Sequence, residues 1–199
     1  MSVTLAKHSG FCFGVKRATE TAEALADTGG KIYTLGHLIH NKKYTEYLEK
    51  KGVRSIDEGG LSRLLSFPPA NATVIIRAHG ISRGLMNTLR EAEKSDGTFH
   101  VCDCTCPFVS KIHKIMDENT SDDTFAVIFG DASHPEVKGI VSYIHGDYAV
   151  ISGSAELETS LSGDLRDKLA EKRIIVASQT TLNHFDYEKS KKNIQKLYT

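Results

Sequence analysis

The sequence predicts an α/β fold made of two similar α/β/α domains with small, mostly parallel sheets, related as an internal repeat. Three observations predict it. Strand-like and helix-like runs alternate along the 199 residues, the links between them are short, and one set of residues recurs at fixed offsets in both halves.

The strand-like runs are residues 3–7, 31–35, 73–77, 100–104, 124–129, 148–152 and 173–177. Between them, residues 14–27, 43–52, 83–95 and 165–173 place apolar side chains at helical spacing and stop near glycine or polar residues, and a further helix runs from Tyr187 to the C-terminus. The glycine-rich and polar stretch from Ile56 to Asn71 reads as an insertion in the first half. Gly36 and His40 stand 24 and 28 positions after Cys12, and Gly130 and His134 stand 24 and 28 positions after Cys106. Val15 and Val109 each follow their cysteine by three. Each half then reaches a strand with a polar end, Ala78-His79-Gly80 in the first and Ser178-Gln179-Thr180-Thr181 in the second. The predicted division is therefore 1–105 and 106–199, with no low-complexity linker between.

Composition narrows the class. Hydrophobic residues make up 40% of the chain, enough to build cores, and 25 basic residues balance 25 acidic ones, so no basic footprint argues for nucleic acid or an anionic membrane. No apolar run approaches the ~18 residues of a spanning helix, and the N-terminus lacks the apolar core of a secretory signal. A cytoplasmic protein is expected. Cys102, Cys104 and Cys106 alternate along one strand, where disulfide geometry is poor, so reduced thiols or metal ligands are expected instead.

In open parallel sheets, ligand groups gather outside the carboxyl ends of the strands. His40, His79, His134 and Thr180 all follow predicted strands, and Asn41, Ser82 and Pro135 are good helix starters just beyond. Helix N-termini and imidazoles together make an anion site, suited to phosphate. Cys12 and Cys106 each precede a helix and have Lys16, Arg17 or Lys111 close by in sequence, which favours a metal-binding thiolate; the alternative is a small buried hydrophobe. Cys102 and Cys104 are expected to fill the core below Cys106, and a structural zinc site fits their place in a strand poorly. Glu136 is either a first-turn acid that complements the helix dipole or, facing an anionic substrate, a proton donor near neutral pH. The other histidines, His8, His37, His100, His113, His145 and His184, have no place in the repeat.

Six motifs stand in order along the chain: Gly10-Phe11-Cys12-Phe13-Gly14-Val15-Lys16-Arg17-Ala18, Ile39-His40-Asn41, Arg77-Ala78-His79-Gly80, Asp103-Cys104-Thr105-Cys106-Pro107, His134-Pro135-Glu136-Val137-Lys138-Gly139 and Ser178-Gln179-Thr180-Thr181. In this order and spacing the chain resembles the 4-hydroxy-3-methylbut-2-enyl diphosphate reductase family, the iron-sulfur oxidoreductases that end the non-mevalonate route of isoprene biosynthesis. The resemblance implies three similar domains around a 4Fe-4S cluster with one iron open to substrate. By resemblance Cys12 and Cys106 are metal ligands, and His40, His79 and His134 bind the diphosphate of a small allylic substrate. Glu136 is the catalytic proton donor, and Thr180 positions the substrate hydroxyl. The implied reaction is reductive dehydroxylation to isopentenyl and dimethylallyl diphosphate, with a ferredoxin or flavodoxin as electron donor.

The family's third cysteine, and the Ser and Asn residues that complete its phosphate site, belong to a third repeat that this sequence does not carry. The chain is therefore expected to be an incomplete part of the enzyme, with Cys102 or Cys104 as a substitute ligand at best, and to self-associate through the face a third domain would meet. The competing expectation is a cluster-free module that binds diphosphate without reducing it. A third reading, a nicotinamide-binding reductase, fits poorly, because Ser9-Gly10-Phe11-Cys12-Phe13-Gly14 has too few glycines for a dinucleotide loop.

Overall fold

A computed structural model describes residues 3–4, 6–7, 10–161 and 164–196. The chain divides into two compact units, Met1–Ala78 with Asn87–Pro107, and His79–Met86 with Phe108–Thr199. Among the described residues no helix is long and apolar enough to cross a membrane.

The first unit contains α1 (Phe13–Ala26), β1 (Lys31–Leu35), α2 (Lys42–Lys50), β2 (Val53–Ile56), α3 (Glu58–Ser66), β3 (Ala72–Ile76), most of α4 (Arg83–Ser95) and β4 (Phe99–Asp103). Its four strands form a wholly parallel sheet in the order β2-β1-β3-β4. β3 is buried at every position, as expected of an inner parallel strand covered on both faces. On one side Ile32 and Ile75 pack with Ala18 and Ala22 of α1, Leu48 of α2 and Cys104. The small alanines let α1 lie close on the sheet. At the open edge, the Val101 amide of β4 donates to Glu93 Oε1 at 2.7 Å, while Arg90 donates to Oε2, so part of the strand edge is capped from within the unit.

The second unit contains α5 (Pro107–Asn119, from Phe108 onward), β5 (Thr124–Phe129), α6 (Pro135–Val141), β6 (Asp147–Ile151), α7 (Ser154–Ser160), α8 (Asp164–Glu171), β7 (Arg173–Ser178) and α9 (His184–Gln195). Its parallel sheet has the order β6-β5-β7. The central β5 alternates Phe125, Val127 and Phe129 on one face with Ala126 and Ile128 on the other. The first set packs with Leu157, Leu169 and Ile194, the second with Met116, Val137 and Ile140. Burial of a side chain such as Phe129 stabilises the unit by roughly 1.5–3 kcal/mol.

The repeat read from spacing has a structural counterpart inside each unit. The Gly36 amide, just past β1, donates to Ile56 O at 2.8 Å, and the Gly130 amide, just past β5, donates to Ile151 O at 2.9 Å. Each glycine also faces the residue just past another strand of its sheet, Arg77 after β3 in one unit and Gln179 after β7 in the other.

Three local expectations are corrected. Residues 3, 4, 6 and 7 are not in a strand; Leu5 and His8 lie outside the described residues. The glycine-rich and polar stretch from Ile56 to Asn71 carries helix α3, because Asp57 caps it by accepting from the Gly60 amide at 2.6 Å and Leu61 and Leu64 are buried. Gly59 and Gly60 disguised it. Finally, β4 stops at Asp103, before Cys104 and Cys106, although their amides still donate to Ile76 O and Ala78 O at 3.0 and 2.9 Å. The extended pairing thus continues and keeps both cysteines in alternating register with Cys102.

Candidate functional site

The second unit carries a compact polar site at the carboxyl ends of β5 and β7. Beyond β5, the Asp131 carboxylate accepts from both the Ser133 amide and hydroxyl, at 2.8 and 2.7 Å, and these two bonds hold its pKa below the usual carboxylate range. The His134 amide donates to Asp131 O at 2.9 Å, so the turn delivers His134 to the start of α6. His134 is the N-cap: its Nδ1 accepts from the Glu136 amide at 3.1 Å, and Pro135 occupies the first helical position. That bond fixes the neutral tautomer with hydrogen on Nε2, leaving a donor for a ligand. The His79 ring stands edge-on to it, centroids 5.2 Å apart at 89°.

Glu136 is 1% exposed, yet its carboxylate is fully engaged. Oε1 accepts from the Thr180 amide at 2.6 Å and Oε2 from the Thr180 hydroxyl at 2.9 Å. A buried carboxylate needs such partners. Thr180 itself is exposed, so its hydroxyl oxygen can accept a hydrogen bond from outside while it donates to Glu136. This is a two-member relay from a sheltered carboxylate to an open face.

Gln179, which the motif contained but which was assigned no role, braces this relay. Its Oε1 accepts from the Asp131 amide at 3.1 Å and its Nε2 donates to Thr181 Oγ1 at 2.8 Å, tying the β5 and β7 ends together. A Cβ on Gly130 would meet Val137 Cγ2 at 2.8 Å and Gln179 Cβ at 2.9 Å. Gly130→Ala is therefore expected to push α6 and the Gln179 loop apart and weaken ligand binding by about tenfold, an effect of ~1–3 kcal/mol for overpacking. Calorimetric titration of the variant checks this.

In the first unit, Cys12 is exposed and is the N-cap of α1, while Cys106 is half-buried and directly precedes α5. A Cβ on Gly14 would lie 2.9 Å from Cys106 Sγ, so the glycine in the first turn of α1 makes room for the second thiol beside the helix that Cys12 begins. Exposed Phe11 and Phe13 flank Cys12. His40 is exposed, one residue before Asn41, whose side chain caps α2 by accepting from the Tyr44 amide at 3.1 Å. His40 thus belongs to the first unit; His79, His134, Glu136 and Thr180 belong to the second.

Cys102 and Cys104 have the expected core role: Cys104 is 3% exposed within the apolar cluster and Cys102 packs on it. Their sulfurs are 4.0 Å apart. The hydrogen bond between them, together with burial, pushes the Cys102 thiol up, while the same bond draws Cys104 down. His113, which has no part in the repeat, is a packed core residue stacked on Tyr143 at 4.3 Å. Among the described residues, no group of three or more His, Cys, Asp or Glu side chains is arranged to hold a metal ion.

Two α/β units, each with a parallel sheet, cysteines at two helix starts of the chain, and a buried glutamate bonded to a threonine at strand ends of the second unit define an α/β protein with a thiol-bearing unit and a polar strand-end site. The chain belongs to the LytB protein family, whose model matches residues 3–199. It is 41% identical over 183 residues to a 4-hydroxy-3-methylbut-2-enyl diphosphate reductase of Geotalea uraniireducens (strain Rf4), covering 91% of this chain and 57% of the relative. Two solved structures are similar to it. One, described as (E)-4-hydroxy-3-methyl-but-2-enyl diphosphate reductase, the terminal enzyme of the non-mevalonate pathway, matches with TM-score 0.72 and 30% identity over 98% of this chain and 64% of that one. The other, the E-1-hydroxy-2-methyl-but-2-enyl-4-diphosphate reductase from Plasmodium falciparum, matches with TM-score 0.73 and 25% identity over 96% and 55%. The chain thus spans a little over half the length of the Geotalea relative.

Proposed function

We propose that this chain supplies two repeats, 1–105 and 106–199, of a cytoplasmic reductase that converts 4-hydroxy-3-methylbut-2-enyl diphosphate to isopentenyl and dimethylallyl diphosphate. The observation that carries this reading is the double hydrogen bond between buried Glu136 and Thr180, beside the His134 cap and the His79 ring. His40, His79 and His134 bind the diphosphate through ring N–H donors. Thr180 takes the substrate hydroxyl as an acceptor, and Glu136 supplies the proton through or beside it. The reaction consumes two electrons and two protons: the C–O bond breaks, the hydroxyl leaves as water with one proton, and carbon takes the other.

Cys12 and Cys106 fit a cluster site in part. Both thiols stand at helix starts, and Gly14 leaves room for the second, but an iron-sulfur cluster is normally held by three or four thiolates. These two would hold the 4Fe-4S cluster from this side; when bound, it supplies the reducing electrons, received from a ferredoxin or flavodoxin. The remaining ligand would come from outside these two thiols, and association of the chain at high concentration in size-exclusion chromatography would support a second copy as its source.

A cluster-free diphosphate-binding module is the second reading, since the His134 cap and the Glu136–Thr180 pair are formed without any cluster ligand. Iron and sulfide content after anaerobic reconstitution separates the two. The binding claim itself is tested by titrating 4-hydroxy-3-methylbut-2-enyl diphosphate into the chain and into His79→Asn and His134→Asn. Each variant is expected to bind at least tenfold more weakly, because a hydrogen bond to a charged group contributes about 1.5–3 kcal/mol. Wild-type affinity in both would remove the anion site.

A further inference from the structure

We propose that Cys102 and Cys104 form a second thiol site in the first unit, which takes one soft monovalent metal ion of the Cu(I) class, independently of Cys12 and Cys106. Distance is the first argument. The two sulfurs are 4.0 Å apart. A disulfide needs about 2.05 Å, which this pair reaches only by moving into one another. Two sulfurs on one ion at about 2.3 Å stand about 3.8 Å apart at a tetrahedral angle and about 4.6 Å apart in a line. The observed separation lies inside that range: a bent two-thiolate ion fits it as it stands, and a linear one needs the sulfurs to part by about 0.6 Å.

The surroundings select the ion. Cys104 is enclosed by Ala18, Ala22 and Ile75, and no carboxylate or imidazole joins the pair to make a group of three among the described residues. Zinc, which takes four donors, would be left half-coordinated. A soft monovalent ion is satisfied by thiolate ligands, and the apolar shell around Cys104 keeps water from competing. Cys102 is half-buried and gives the approach.

Charge balance is the second, independent argument. Binding releases both thiol protons, so two thiolates and one monovalent cation carry a net charge of −1, with no change of oxidation state. Arg17 stands ready to offset it. Its guanidinium donates to Thr105 O and keeps a buried Nε with no hydrogen-bond partner in the structure, and its charge opposes that of the neighbouring Asp103 at both sulfurs. A half-buried cation with an unpartnered N–H suits an anionic complex beside it better than a neutral thiol pair.

The test uses the 199-residue chain with Cys12→Ser and Cys106→Ser, so that only the proposed pair remains, handled anaerobically. Cu(I) is titrated in against bicinchoninate. One Cu(I) per chain should be retained, and X-ray absorption should show two sulfur neighbours. Adding Cys102→Ser, a change at the half-buried position, should weaken retention by about 100-fold or more, the usual scale for losing one arm of a two-point attachment. Circular dichroism confirms the fold of each variant. No retained copper in the two-serine protein, or equal retention after Cys102→Ser, would overturn the proposal; retention of Zn(II) as tight as Cu(I) would overturn the choice of ion.

Discussion

Replacing Glu136 by Gln is expected to lower single turnover of 4-hydroxy-3-methylbut-2-enyl diphosphate by about 10²–10⁴-fold, the usual range for losing a positioned proton donor. The fold should survive. The Gln amide oxygen can still accept from the Thr180 amide, and its NH2 can donate to the Thr180 hydroxyl oxygen, so both contacts of the buried side chain keep a partner. Glu136→Ala is a harsher change, because it leaves the Thr180 amide and hydroxyl without their acceptor at a cost of about 1–3 kcal/mol each. The contrast separates chemistry from stability. The reaction is measured anaerobically in the chain joined to the remaining length of its Geotalea relative, and denaturation is measured alongside. Unchanged turnover in Glu136→Gln would remove the carboxylate as proton donor.

Cys12→Ser and Cys106→Ser should each strip the cluster from that completed protein, with iron, acid-labile sulfide and visible absorbance falling close to zero. A serine oxygen is a poor substitute where thiolate is the ligand. The substitutions are mild for the fold: Cys12 is exposed, and Cys106 is half-buried beside Gly14. Full cluster content in both variants would place the ligands elsewhere. Loss in one alone would break the equivalence that the repeat suggests.

Much of this architecture was legible before any coordinates. The matched offsets from Cys12 and Cys106 identified Gly36 and Gly130 as counterparts, and the two amides make the same strand-end hydrogen bond. A glycine at that point also leaves room for the side chain just past another strand, Arg77 after β3 or Gln179 after β7. Asn41 and Pro135 were readable as helix starts because helix initiation depends on local sequence. Helix α3 was not, since Gly59 and Gly60 have loop-like propensity and only tertiary burial of Leu61 and Leu64 outweighs it. The strand assigned to residues 3–7 had a suitable pattern, but Val3 is 88% exposed and pattern alone supplies no partner. Gln179 escaped notice because its role depends on where Asp131 lies, 48 residues away in sequence. The alternation of Cys102 and Cys104 placed them on one face, but not at the 4.0 Å separation that makes them a pair.

The most direct measurement is anaerobic turnover by the completed, cluster-loaded protein with 4-hydroxy-3-methylbut-2-enyl diphosphate and reduced ferredoxin, reading products by chromatography. Isopentenyl and dimethylallyl diphosphate should form together, and their formation should fail in Glu136→Gln; a protein that holds the cluster and binds the diphosphate, yet returns the substrate unchanged, would contradict the proposed reaction.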